Sequence, residues 1–466
     1  NQETAEKKRK EMLEAPVGML VCKLAVPTTS IMMVSALYNM ADTYFVSSLG
    51  KSATGAVGVS FSLMAIIQAI GFFFGHGAGN FISRALGAKK IKEAEQMAST
   101  GFFSAVVCGL LITILGLIFI EPFAIALGST ETILPYAKEY LRYIFIGAPF
   151  IVSSFMLNNI LRYQGSAFFG MIGMISGAVL NICLDPLFIF VFDLGVAGAS
   201  LATMLSQAAS FVLLIAVGCR RGGNIRISIK NFNPSLRVYS ETAKGGTPSL
   251  LRQATGSLAT VFLNRSAGVY GDAVIAAMAI ASRLFMIAGA AIIGFGQSFQ
   301  PICGFNFGAK RYDRVKKAFK FCLVLSTSIL LVVGVVAFFV APSLVGIFNT
   351  GDPDVVTIGA LAVKAQCLSI PLVPYVLLVS FLLQSIGSAV PASILAFARQ
   401  GLFLIPLLLL LVPSLGIFGI QIATPIADGL TFLVAIPLAL SAFRNKLSDQ
   451  PSLSEVKAEG TEAVAH

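Results

Sequence analysis

Two aspartates stand where a carboxylate is least expected. Asp42 lies in Tyr38-Asn39-Met40-Ala41-Asp42 and Asp185 in Asn181-Ile182-Cys183-Leu184-Asp185-Pro186, both inside long apolar runs. A charged side chain near a bilayer centre costs roughly 2.5–3.5 kcal/mol on insertion scales, so each asks for a reason. Read on helices, Asp42 lies about six residues from the outer end of its run and Asp185 about seven from its own, depths of roughly 9 and 10 Å at 1.5 Å per residue. Thr203 reaches roughly 12 Å by the same rise. An i, i+4 spacing places Tyr38 with Asp42 on one face, and Asn181 with Asp185 on another. Two carboxylates, an amide, a hydroxyl and a phenol are hard oxygen donors, suited to Na⁺. Two close carboxylates also repel, which favours one of them holding a proton. Asp42, Asn181, Asp185 and Thr203, with Tyr38, are therefore candidate ligands for a metal cation such as Na⁺, or a proton-coupling set. The plainer reading, with Asp42 capping a turn and Asp185 marking a helix end before Pro186, stays open.

Five further ionisable side chains sit in apolar surroundings: His76, Arg252, Arg283, Arg399 and Asp428. Asp428 and Arg399 reach similar depths from opposite ends of their segments, and pairing them is the least costly arrangement, since an unpaired buried charge is strongly disfavoured. The pair is either structural or part of coupling or substrate binding. Arg252 is expected to snorkel toward the basic side, and Arg283 to face a cavity. His76, between Gly75 and Gly77, reads as a buried neutral side chain in a tight helix contact, with a proton relay as the alternative. Gly50-Lys51-Ser52 resembles the end of a phosphate-binding loop, but the required glycine five residues earlier is Phe45. No nucleophile–His–acid arrangement exists, and no cofactor is expected beyond a coupling ion. The seven cysteines form no CxxC spacing and read as buried thiols, not as a disulfide or zinc framework.

The elements that position these residues are membrane helices. Of 466 residues 56% are hydrophobic and 12% charged, with a mean hydropathy of +0.85; a soluble domain averages about a quarter charged. The net charge of +11 lies in loops between apolar runs, which argues against nucleic-acid binding, a function of basic residues clustered on one solvated face. Twelve stretches long enough to span a bilayer begin near Val17, Thr54, Ala94, Thr132, Ala167, Val196, Leu236, Asp272, Lys317, Val355, Val390 and Ile417. This divides the chain into an N-terminal segment 1–16, a first bundle 17–218, a linker 219–235, a second bundle 236–443 and a polar, disordered tail 444–466. Basic loops carrying Lys7 to Lys10, Arg84 to Lys92, Arg220 to Lys230, Lys310 to Lys320 and Arg444 alternate with loops carrying Glu121, Glu131, Asp193, Asp352 and Asp354. Both termini are therefore expected in the cytoplasm. No short hydrophobic leader with a cleavage site follows the charged start.

The two bundles repeat one another. At an offset of 221 residues Pro27 matches Pro248, Gly50 matches Gly271, Gly87-Ala88-Lys89 matches Gly308-Ala309-Lys310, and Leu194-Gly195 matches Leu415-Gly416. Six helices per copy means that both copies enter from the same side, giving parallel repeats with substrate between them. The positions equivalent to Asp42, Asn181 and Asp185 are Leu263, Leu402 and Pro406. Acids that served the shared fold alone would recur, which favours the ion-site reading.

The chain resembles the multidrug and toxic compound extrusion (MATE) family, in its DinF-like prokaryotic branch, over nearly its whole length. The carrying motifs are Tyr38-Asn39-Met40-Ala41-Asp42-Thr43, Gly75-His76-Gly77-Ala78-Gly79-Asn80, Asn181-Ile182-Cys183-Leu184-Asp185-Pro186 followed by Gly195-Val196-Ala197-Gly198-Ala199, and Arg399-Gln400-Gly401 with Ile405-Pro406. The resemblance implies a V-shaped, two-lobed antiporter of the plasma membrane, acting as a monomer among membrane lipids and expelling small, cationic, amphipathic organic compounds. It maps a cation site onto Asp42, Asn181, Asp185 and Thr203, with Tyr38 hydrogen-bonded nearby, and adds Asn158 or its neighbour Asn159. The expected activity is export in exchange for H⁺ or Na⁺ by alternating access. A flippase for polar lipids or lipid-linked sugars is the alternative, which Arg252 and Arg283 favour and the count of twelve helices opposes. A membrane enzyme or channel would need a catalytic cluster or a ring of pore charges, and neither is evident.

Overall fold

In lipid a spanning backbone must satisfy its own hydrogen bonds, so long apolar runs become helices. The computed structural model describes residues 2–218, 225–348 and 353–448, and these are nearly all helical. The first bundle contains α2 (Val17–Ser47), α3 (Lys51–Gly87), α4 (Ile91–Ile118), a short α5 (Ile120–Ala126), α6 (Leu134–Tyr163), α7 (Ala167–Pro186) and α8 (Gly195–Val217), preceded by α1 (Gln2–Glu14). The second contains α9 (Leu236–Gly268), α10 (Asp272–Gly308), α11 (Tyr312–Phe348), α12 (Pro353–Ser369), α13 (Val373–Ser385), α14 (Ala389–Phe397), α15 (Ile405–Leu415) and α16 (Ile417–Asn445). A 3₁₀ turn at Ile370–Leu372 joins α12 to α13, and π-helical turns extend α7 over Leu187–Val191 and join α14 to α15 over Ala398–Leu404. Counting α12–α13 and α14–α15 as single spans gives twelve, in two lobes. The twelve starts fall within five residues of the expected ones. The largest difference is at α11, where Asp313 and Arg314 form part of the first turn and Lys316 and Lys317 follow within the helix, not in a loop.

Among the described residues, eleven of these spans are long and apolar enough to cross a membrane. The exception is α9, which carries Arg237, Glu241, Lys244, Arg252 and Arg265. Side chains such as Leu110, Leu111 and Ile114 on α4, and Val332 and Val336 on α11, are exposed, forming the apolar surface that lipid covers. Of the cysteines, Cys303, Cys322 and Cys367 are buried as expected, whereas Cys22 and Cys183 are exposed on lipid-length helices. Cys219 with Arg220 and Arg221, Asp352, and the tail from residue 449 lie outside the described residues.

The 221-residue spacing recurs in the backbone. Positive φ values occur in pairs: 116° at Gly50 and 101° at Gly271, 63° at Lys89 and 57° at Lys310, 54° at Gly195 and 63° at Gly416, and, at a spacing of 222, 80° at Gly165 and 76° at Gly387. The lobes meet where α3 crosses α10, and the crossing is reciprocal. A Cβ on Gly87 would stand 2.1 Å from the Phe305 carbonyl oxygen, and one on Gly308 would stand 2.0 Å from the Arg84 carbonyl oxygen. Gly87 and Gly308, like Arg84 and Phe305, are 221 apart, so a pseudo-twofold axis runs through the contact. Only glycine permits so close a backbone approach.

The hydrogen bonds that join the lobes gather at one end. Among the described residues, every hydrogen bond between the lobes lies in the half of the molecule that carries the basic loops. Arg84 donates to the Ser385 carbonyl at 2.9 Å and to Glu241 at 3.1 Å. His76 Nδ1 and Ser249 Oγ are 2.6 Å apart, Ser385 Oγ donates to Asn80 at 3.2 Å, and buried Arg162 donates to the Gln297 carbonyl at 3.3 Å. Helix α1 straddles the seam. Lys8 donates to the Gly165 carbonyl at 2.8 Å and Arg9 to the Gly87 carbonyl at 3.0 Å. From the other lobe, Asn306, Arg311 and Arg314 donate to the carbonyls of Met12, Leu13 and Ala15.

Candidate functional site

The N-lobe acids converge. Asp42, five residues from the end of α2, Asp185, at the end of α7, and Thr203, in α8, are all buried. Asn181 Nδ2 bridges the set, donating to Asp185 Oδ1 at 3.3 Å and to Thr203 Oγ1 at 3.2 Å. Asp42 Oδ2 accepts from Tyr140 Oη at 3.1 Å. Neither carboxylate has an ion-pair partner among the described residues, and Asp42 Oδ1, Asp185 Oδ2 and Asn181 Oδ1 are buried without any hydrogen-bond donor. Such unmet oxygens are costly unless something positive meets them, and hard oxygens of this kind fit Na⁺ or a proton. No group of three His, Cys, Asp or Glu suited to a metal occurs among the described residues, so a metal cation here would rely on the amide and hydroxyl oxygens beside the carboxylates.

Tyr38 is buried in the same region and lines a cavity of about 160 Å³ with Asn181, Thr203, Ser206 and Gln207. It forms no hydrogen bond to Asp42; Tyr140 does so instead. Sequence reading passed over Tyr140, although it sits six residues into α6, at the depth of Asp42, and that match was the available signal. The two asparagines of α6 do not join the acids. Asn158 faces Gly170 of α7, its Oδ1 lacking a donor, while Asn159 faces Gly75, donates to the Phe155 carbonyl at 2.7 Å and accepts from Arg162.

In the C-lobe, Arg399 and Asp428 are brought together, with Arg399 Nε donating to Asp428 Oδ1 at 2.6 Å. Gln366 and Ser369 each donate to Asp428 Oδ2 at 2.9 Å, so this acid, unlike the other two, is fully met. Arg252 does not snorkel. It points into the interlobe cavity, donating to Ser380 Oγ at 3.5 Å and Ser249 Oγ at 3.3 Å and lying over the Phe381 ring, because serines and an aromatic face reach it before water does. Arg283 is exposed on α10 and does not line that cavity. His76 is buried, bonded to Ser249 and with Nε2 unmet, and its flanking glycines admit Thr242 and Asn159.

The comparisons with known proteins concern the fold and the family. The MatE family model matches residues 27–187 and again residues 248–410, two copies whose starts lie 221 residues apart. The multidrug export protein MepA of Staphylococcus aureus (strain MSSA476) is 30% identical over 437 residues, covering 93% of this chain and 96% of that protein. An outward-facing multidrug resistance transporter of the MATE family, within the MOP superfamily, superposes with a TM-score of 0.88 at 27% identity, covering 93% of this chain and 97% of the other. A MOP-superfamily transporter from Pyrococcus furiosus Vc1 (DSM3638), described as having a binding pocket of reverse polarity that suggests a different function, superposes at 0.87 with 26% identity, covering 93% and 98%. A chain matched twice by one family model, spanned by multidrug exporters and folded as they are, belongs to the MATE family of multidrug transporters.

Proposed function

We propose that this protein is a secondary antiporter exporting amphipathic organic cations in exchange for H⁺ or Na⁺, with the coupling ion held by Asp42 and Asp185. The observation that carries the reading is a pair of buried carboxylates with no cationic partner and three oxygens without donors. A buried charge left uncompensated is strongly destabilising, so the site takes up a cation from whichever side it faces. Interlobe hydrogen bonding at the basic end, which the loop-charge rule places in the cytoplasm, supports reading the described state as the one facing the outside. There an entering ion neutralises Asp42 and Asp185 and weakens their hold on a cationic cargo, which leaves. Asn181 ties Asp185 to Thr203, so occupancy of the site is felt by both α7 and α8. Helix α2 runs unbroken through Pro27, which removes one backbone donor and gives a point at which neutralising Asp42 bends the helix. Ion and cargo bias the two states only through differential affinity, so they share these acids. The test is export of ethidium from proteoliposomes under an imposed Na⁺ or pH gradient. One gradient drives native protein, and Asp42→Asn and Asp185→Asn lose the response to it; gradient-driven export that survives both substitutions overturns the assignment.

A further inference from the structure

The N-lobe cavity has a duplicate. A second cavity of about 270 Å³ lies between α9, α10, α13, α14 and α16, and it shares Met32, Phe72 and Gln253 with the first. Part of its lining is the first lining moved along the chain by 221 residues. Met32 corresponds to Gln253, Ser35 to Gly256, Gln68 to Gly289, Ala178 to Arg399, Gln207 to Asp428 and Ser210 to Thr431. The replacements at Gly256 and Gly289 remove side chains from the lining. Those at Arg399 and Asp428 add a charged pair where the N-lobe is neutral. Arg252, with no charged counterpart at Ile31, adds a further guanidinium.

The charges do not cancel. The second cavity is lined by Arg252, Arg399 and one acid, Asp428, a net charge of one positive unit. Asp428 is already met by three donors. Arg399 spends only Nε on it, and its two terminal nitrogens have no hydrogen bond among the described residues; the side chain is 36% exposed, into the cavity it lines. Arg252 has no carboxylate partner, only two hydroxyls at 3.3 and 3.5 Å. Arg399 and Gln400 lie on the π-helical turn, a feature that interrupts α-helical pairing and is frequent at functional sites. Gln253, Gln297 and Gln400 add amide donors, and Ile292, Val376 and Leu377 supply an apolar wall. Guanidinium groups with free donor nitrogens, in a chamber with apolar walls, suit a planar oxyanion attached to a hydrophobic body.

We propose that the C-lobe half of the interlobe cavity binds the oxyanion of an amphiphile, a carboxylate or phosphate-type group, with Arg252 as its principal ligand and the free nitrogens of Arg399 as the second. This deepens the transport reading and rests on it, since it treats the chamber as the cargo site. The cargo class then includes zwitterions, whose cation faces the N-lobe acids while the oxyanion faces the arginines. The source of the oxyanion is a soluble amphiphile or a lipid headgroup, and the chemistry is the same for both.

The test is equilibrium binding to the full chain in nanodiscs of neutral lipid, with no ion gradient, so that failure of ion coupling leaves it untouched. The probes are dansyl-labelled undecanoic acid and its methyl ester, read by dansyl fluorescence. The acid is expected to bind about tenfold more tightly than the ester, the scale of one charge-assisted contact. Arg252→Gln brings the two affinities together while leaving the ester unchanged, which reports an intact cavity. Arg252→Lys retains a several-fold preference for the acid, and serves if the glutamine variant fails to fold. Competition by phosphatidylglycerol assigns the site to a lipid headgroup; its absence, with competition by unlabelled undecanoate, assigns it to a soluble amphiphile. Equal affinity for acid and ester in the native chain, or an acid preference that survives Arg252→Gln, overturns the proposal.

Discussion

Adding one methyl group at Gly87 should open the basic end of the transporter. A Cβ there meets the Phe305 carbonyl at 2.1 Å, against 3.4 Å or more for an ordinary contact. The seam must therefore separate by more than an ångström, or backbone must shift within a packed crossing. Overpacking of this kind costs about 1–3 kcal/mol, and at 1.4 kcal/mol per decade the closed state loses roughly 5- to 150-fold in population relative to one with the seam parted. Gly308→Ala, at the symmetry-related position, should act alike, its Cβ meeting the Arg84 carbonyl at 2.0 Å. A native reporter stands beside the crossing. Cys303 is fully buried on α10, next to Gly304, whose own Cβ would strike Ser83. With the other cysteines replaced, alkylation of Cys303 by a water-soluble maleimide should be slow in native protein and at least about fivefold faster in Gly87→Ala, the lower bound of that population shift. A folded Gly87→Ala protein that labels at the native rate would refute the claim that the glycine crossing holds the basic end shut.

Three further outcomes follow from the same geometry. Asp185→Asn removes one of two charges facing the coupling ion; at an effective dielectric near 20 and about 4 Å this is about 4 kcal/mol, so the half-saturating concentration of the driving ion should rise by roughly a thousandfold in proteoliposome transport. Asp428→Asn leaves Arg399, whose side chain is partly exposed to the cavity, without its carboxylate, and losing a hydrogen bond to a charged group costs about 1.5–3 kcal/mol, so the detergent-solubilised variant should melt lower; pairing it with Arg399→Gln should recover part of the loss. Arg9→Ala frees the Gly87 carbonyl that Arg9 holds through Nε and Nη2, and should speed maleimide labelling of Cys303 by several-fold, at about 1 kcal/mol for the lost bonds, without altering ion dependence.

What was legible in the sequence was what membrane physics enforces one helix at a time. Helix starts followed from apolar run length, and the placement of Asp42, Asn181, Asp185 and Thr203 at one level followed from counting residues inward, because depth is nearly linear along a helix. What counting cannot supply is azimuth between helices. Tyr38 and Tyr140 lie at comparable depth, and only packing shows that the hydroxyl reaching Asp42 belongs to α6. Azimuth also sends Arg252 into the cavity and Arg283 out of it, although both are arginines within second-lobe helices. Arg84 and Arg162 were hidden for another reason. Each stands in the last turn of a helix, where a basic residue ordinarily serves orientation and the helix dipole, yet both turn inward to tie the lobes together.

A duplicated scaffold makes such departures informative. Backbone symmetry is kept where it builds the crossing, in the reciprocal glycine contacts and the paired positive-φ positions. Side-chain symmetry is dropped where the two cavities meet the central chamber. Asp42, Asn181 and Asp185 face Leu263, Leu402 and Pro406 in register, while Arg399 and Asp428 replace Ala178 and Gln207. Two identical acidic pockets would bind two coupling ions and leave no region of the chamber able to discriminate cargo from ion. On the proposed reading, separating the charges would let occupancy of one lobe change the field across the chamber while the other lobe keeps its hold on a different part of the cargo. In the proposed antiport cycle, rocking one lobe against the other would change the relation between two unlike sites, which is the differential interaction that a coupled exchange requires.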